Sequence, residues 1–202
     1  KDIENVYYGI HTARALENFN IKNKRVNEEL IKAIALIKIA AAEANKKAGK
    51  LDENIANAIK EAANDLIVGN YIDAFMLPSI QGGAGTSTNM CINEVIANIA
   101  LEKMGQSKGD YHIINPLDHV NHSQSTNDVY PTAVKIASIK LLRELLDETM
   151  ALQQELQNKE KEFSNVLKTG RTQFQDAVPL TLGQEFGAYA EAISRDRWRI
   201  YK

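Results

Sequence analysis

From Pro131 to about Leu167 the chain keeps an apolar seam at helical spacing through Val134, Ala137, Leu141, Leu145, Leu152 and Leu156. A periodic segment longer than about 25 residues belongs to a long bundle or coiled-coil helix, not to a lone surface helix. Pro131 suits the first turn of such a helix. Shorter periodic segments precede it. Asn27 is a plausible N-cap, followed by Glu28 and Glu29 and then by Leu30, Ile34, Ile37 and Ala41, until Gly49 supplies a stop. A second helix is expected from Asp52, burying Ile55, Ile59, Ala62 and Leu66 and ending at Gly69, and a third from Asn89 to Met104, closed by Gly105. Thr181-Leu182-Gly183-Gln184 fits a capping box that opens a last helix. Residues 1–26 are mixed, with a β-leaning Val6-Tyr7-Tyr8-Gly9-Ile10. The expected class is mainly α. A small mixed amino-terminal domain (1–130) precedes the start of a domain of long bundle helices (131–202), without an internal repeat.

With 24 Lys and Arg against 26 Asp and Glu in 202 residues, the formal net charge is −2, which argues against a general nucleic-acid binder. The 44% hydrophobic and 25% charged content is that of a soluble globular protein. Lys38 and Glu43 interrupt the richest apolar stretch, so no membrane-spanning helix is expected, and the opening residues carry no signal-peptide pattern. A lone cysteine, Cys91, excludes an internal disulfide and a multi-cysteine zinc site, and a reducing cytoplasm is the expected setting. The sequence begins at Lys1 rather than Met and stops within a helical pattern, as a fragment would.

Chemistry is expected in three polar breaks, because the helices spend their side chains on packing. The first is Gly82-Gly83-Ala84-Gly85-Thr86-Ser87-Thr88-Asn89. Its glycines let backbone N–H groups approach an anion, and the following helix points its positive end there; a flexible turn with a Ser/Thr cap is an equal reading. No Gly-Lys-Ser/Thr follows, so it is not a phosphate-binding Walker loop. The second is His119-Val120-Asn121-His122-Ser123-Gln124-Ser125-Thr126-Asn127-Asp128. Its histidines lack a third ligand and are better read as hydrogen-bonded loop residues than as a metal pair. Six polar side chains in a row, Ser123 to Asp128, must bind a ligand or one another. The third is Gly170-Arg171-Thr172-Gln173-Phe174-Gln175-Asp176, where Arg171 either clamps a carboxylate or pairs with an acid such as Asp176. Cys91 lies near a helix start, which would lower its pKa, yet a buried, inert thiol is the better reading. Donors without a strong base suit recognition of a small polar anion.

These breaks resemble conserved regions of the aspartase/fumarase superfamily of lyases. Gly82 to Met90 with Asn93-Glu94-Val95-Ile96-Ala97-Asn98 is one match, and His119 to Asp128 with Pro131-Thr132-Ala133 is another. Gly170 to Pro179 with Leu182-Gly183-Gln184-Glu185-Phe186 is a further one, and Tyr7 to Thr12, Arg14 and Glu17-Asn18-Phe19 fit too. The likeness spans nearly the whole chain. Gly-Gly-Ala-Gly-Thr-Ser at 82–87 and Ser125-Thr126 are similar to the aspartase branch, where fumarases tend to have Gly-Ser-Gly-Thr-Gln and Ser-Ser. Gln173 stands where much of the superfamily has His, as in some aspartases, which removes a candidate proton-relay imidazole.

The resemblance implies reversible elimination of ammonia from L-aspartate to give fumarate, through an aci-carboxylate intermediate. It implies that Thr86, Ser125 and Thr126 receive the carboxylate whose charge grows. Asn127 and Gln173 would contact the amino group or the neighbouring carboxylate, and Thr172 would hold the α-carboxylate. Relatives are more than twice as long and take their serine base from a third region, Gly-Ser-Ser-x-Met-Pro-Gly-Lys-x-Asn-Pro, which these residues lack. No catalytic residue is therefore expected here, and a fragment would be inactive alone. No cofactor or metal ligand is implied, an activating divalent cation being left open. The implied partners are the dicarboxylate substrate and, in the full-length enzyme, three further subunits of a homotetramer, with residues 131–167 and 181–202 associating. The alternatives are a fumarase, another fumarate-releasing lyase such as one acting on argininosuccinate, and a non-enzymatic helical scaffold.

Overall fold

The computed structural model describes residues 6–22 and 24–202. Asn27 opens the first long helix as expected, its side chain accepting from the Glu29 N–H at 2.9 Å, and α2 then runs Glu28–Lys47. Asp52 does the same for α3 (Glu53–Ile67), accepting from Asn54 and Ile55. The stops at Gly49, Gly69 and Gly105 all have positive φ. The buried residues of α2 are Ile31, Ala33, Ile34, Ala35, Lys38, Ala42 and Asn45, so of the expected seam Ile34 is buried while Leu30, Ile37 and Ala41 lie at its margin.

The third helix, α4, runs Thr86–Lys103, beginning three residues before the expected Asn89. Every residue from Thr88 to Leu101 is buried, which makes α4 the axis of this part of the core. It packs against α1, α2 and α3, and Ile92, Val95, Ile96 and Ile99 are sealed among them. Each such side chain contributes about 1.5–3 kcal/mol. The β-leaning segment at 6–10 forms no strand. Ile10 instead begins α1 (Ile10–Asn18), because a carboxylate on α4 caps it from outside: buried Glu94 accepts from the N–H groups of Gly9, His11 and Thr12 and from the Thr12 hydroxyl. A short sequence window cannot register a cap supplied from more than 80 residues away.

Between α4 and the long helix lies a π-helical turn, Pro116–Val120, capped by Asn115. The long helix, α5, runs Thr126–Glu162. It starts five residues before Pro131, which sits inside it and withdraws the N–H that would answer the Asn127 carbonyl. It also stops short of Leu167. Residues 168–179 are not a break but a hairpin, β1 (Leu167–Thr172) against β2 (Gln175–Thr181), antiparallel, with a bulge between Thr169 and Arg171. Thr181 then closes the expected capping box with Gln184 and opens α6 (Leu182–Tyr201).

The chain forms two units, one ending at Ala137 and one running Ser138–Lys202, the boundary falling within α5. The first holds α1 to α4, the π-turn and the core just described. In the second, the hairpin packs on α6, and Phe163 stacks on Phe186 at 5.7 Å. Val134, Leu141, Leu145 and Leu152 of the seam are exposed in the single chain. No helix among the described residues is long and apolar enough to cross a membrane.

Candidate active site

The first break turns into α4 through Gly85, whose φ of +84° places it in the left-handed region. No side chain caps α4, so the Ser/Thr-cap reading of this break does not hold. The first turn of α4 therefore has no N-cap side chain, and Thr86, its first residue, is exposed. A cavity of about 320 Å³ opens here, lined by Ser79, Gln81, Gly83, Gly85, Asn127 and Tyr130 among others. Gln81 is held by donating to the Pro78 carbonyl and accepting from Thr88.

The second break reaches the same place by two contacts. The Tyr130 ring packs directly on Gly85, so closely that a Cβ there would penetrate it. The Asn89 amide of α4 donates to Thr126 Oγ1 at 3.0 Å. Ser125 and Asn127 are exposed and Thr126 is half-buried, so the hydroxyls stay reachable from solvent. Ser125 Oγ accepts from the Asn127 N–H, a cap at the start of α5. Within the Ser123–Asp128 run, Gln124 is consumed internally, donating to the Val120 and His122 carbonyls.

Four expected residues, Thr86, Ser125, Thr126 and Asn127, belong to the first unit, and of these Asn127 lines the cavity. Thr172 and Gln173 belong to the second, at the end of β1 and the hairpin tip, both exposed. Gln173 and Phe174 both have positive φ, as a two-residue hairpin turn requires. Arg171 lies 3.7 Å from Asp176, its cross-strand partner. His119 accepts from the Asn115 N–H, and His122 Nδ1 lies 2.9 Å from the Asp118 carbonyl, so both histidines are hydrogen-bonded loop residues. Among the described residues no three His, Cys, Asp or Glu gather as a metal site. Cys91 is buried, and burial pushes its thiol up to about 12, opposite to the effect expected of a helix start.

Sequence reasoning missed the layer beneath the hydroxyls. Lys38 is fully buried, and its Nζ donates to Asn121 Oδ1 at 2.9 Å and Gln124 Oε1 at 3.0 Å. Asn121 Oδ1 also accepts from Asn89 and Asn93, and Asn121 donates back to the Gln124 carbonyl. Two turns further along α2 from Lys38, Asn45 donates to the His122 carbonyl. The signal was available: Lys38 and Asn45 are seven apart, on the stripe that buries Ile31 and Ile34, and Asn89 and Asn93 share a face of an apolar helix.

Burial lowers the Lys38 amine to about 7 from its ordinary 10.5, and no carboxylate among the described residues relieves it. Between those values the unfolded chain binds the proton and the folded one does not, so stability rises with pH by up to about 1.4 kcal/mol per unit. Below pH 7 both states are protonated and the burial penalty is present in full. The buried Cys91 thiol opposes the rise from about pH 9 upward. Urea unfolding at pH 7 and pH 9 should therefore show a gain that Lys38→Met abolishes; equal gains in both proteins would refute a neutral buried amine.

The family model described as Lyase matches residues 1–202, and the chain belongs to that family. Its curated relatives include aspartate ammonia-lyases of Bacillus subtilis (52% identical over 201 residues, 99% of this chain) and Helicobacter pylori strain J99 (53% over 195, 96%). The chain spans about 42% of the length of each. A fumarate lyase:delta crystallin from Brucella melitensis superposes with a TM-score of 0.93 at 47% identity, covering 97% of this chain and 46% of that one. For a class II fumarase from Schistosoma mansoni the values are 0.89, 36%, 96% and 41%. The resemblance to the aspartase/fumarase superfamily and the mainly α class are both borne out.

Proposed function

We propose that the full-length polypeptide carrying this sequence eliminates ammonia reversibly from L-aspartate to give fumarate. The observation that carries this reading is the reachable group of neutral donors, Thr86, Ser125, Thr126 and Asn127, on two breaks pinned together at Gly85–Tyr130 and Asn89–Thr126. Relatives named aspartate ammonia-lyase at 52–53% identity support the choice of substrate.

The proton to be removed sits on the carbon next to the β-carboxylate and is weakly acidic. A base takes it, and the C–H pair moves into the carboxylate, giving an aci-carboxylate with two negative charges. The pair then returns to form the C=C bond as the C–N bond breaks and ammonia leaves. Thr86, Ser125 and Thr126 donate to the oxygens on which charge grows, and donors fixed in place stabilise that charge more than the ground state. Asn127 and Gln173 address the amino group or its neighbouring carboxylate and Thr172 the α-carboxylate, each site of the homotetramer drawing its residues from three subunits. The base is a serine outside these 202 residues, and no cofactor takes part. The exposed apolar seam of α5 supports assembly into a homotetramer.

The test is to supply the full-length protein separately with L-aspartate, L-malate and argininosuccinate. Fumarate is expected from aspartate, with an equivalent of ammonia; release from malate or argininosuccinate and not from aspartate would overturn the assignment.

A further inference from the structure

Lys38 is the buried lysine that the reaction scheme above does not use. It is 0% exposed, no carboxylate pairs with it among the described residues, and its two partners are side-chain amide oxygens of one loop. A neutral amine has two N–H donors, and two acceptors are present.

From Lys38 the contacts lead outward without interruption. Asn121 Oδ1 accepts from Lys38 Nζ at 2.9 Å and from Asn89 Nδ2 at 3.1 Å, and Asn89 Nδ2 lies 3.0 Å from Thr126 Oγ1. Thr126 Oγ1 therefore has one acceptor position filled from inside the protein, which directs its own proton to another acceptor. At the same time the Oδ1 atoms of Asn89 and Asn93 are buried without partners.

We propose that Lys38 is a positioning residue for the lyase reaction: through Asn121 and Asn89 it fixes the Thr126 hydroxyl so that the hydroxyl donates into the site. This rests on the function proposed above. The lysine touches no substrate; it sets the loop that does.

The test is a double-mutant cycle in the full-length enzyme. Lys38→Met keeps the aliphatic length and removes the donors, and kcat is expected to fall about 10²-fold, as displacement of a reacting group by about 1 Å would cause. KM is expected to change little. On the Lys38→Met background Thr126→Val should add little further loss, whereas Thr86→Val should keep its full effect. A merely structural role for Lys38 would weaken both equally, and equal effects would overturn the proposal. Asn89→Ala cuts the same relay one step nearer the site, and if Lys38→Met does not fold, the cycle built on Asn89→Ala decides between the two roles. Failure of both variants to fold would also overturn the proposal, because the two side chains would then hold the core and not the hydroxyl. Loss of the underlying reading would look different: wild-type enzyme would then release no fumarate from aspartate.

Discussion

Replacing Thr86 with valine is expected to lower kcat of the full-length enzyme about 10²–10³-fold, the loss typical of one preorganised donor to a developing oxyanion. Thr86 is the first residue of α4 and is exposed, so its hydroxyl supports no packing. Valine keeps the shape and removes only the donor. Thermal unfolding should therefore be nearly unchanged while turnover collapses, with KM for aspartate rising far less than kcat falls. Steady-state kinetics beside a melting curve measures both. Unchanged turnover would remove Thr86 from the set of donors to the growing charge.

The second large effect concerns Gly85. Alanine there would meet two independent penalties: a left-handed backbone at φ +84°, and a methyl group driven into the Tyr130 ring. Together these should destabilise the protein by about 2–4 kcal/mol. They should also part the two breaks, because Tyr130 lies against Gly85 only while no Cβ stands between them. Gly83 is the control. It has φ +90° but nothing within 4 Å of a would-be Cβ, so Gly83→Ala should cost only about 1 kcal/mol. Denaturant unfolding of the two variants checks this, and equal losses would mean that the Tyr130 contact is unimportant.

Much of this architecture was legible because its signals are local. Asn27, Asp52 and Thr181 cap the helices that follow them through contacts two or three residues away. The illegible parts depend on distant groups or on burial. No window around Ile10 contains Glu94, which caps α1. The hairpin is exposed along most of both strands and its buried positions do not alternate, and Gln173-Phe174 lacks the Asn-Gly signature of its turn. At the site, the donor residues could be read from their unusual density of hydroxyls and amides. Lys38 was legible only through its spacing from Asn45 on the stripe of Ile31 and Ile34; among apolar neighbours it read as an interruption, whereas the structure buries it and has it donate to Asn121 and Gln124.

That the polar breaks form a seat for a four-carbon diacid is tested most directly by a crystal structure of the full-length enzyme with succinate bound. The account predicts one carboxylate within about 3.2 Å of the hydroxyls of Thr86, Ser125 and Thr126, at hydrogen-bonding distance. Succinate seated elsewhere, with those hydroxyls turned to bulk water, would contradict it.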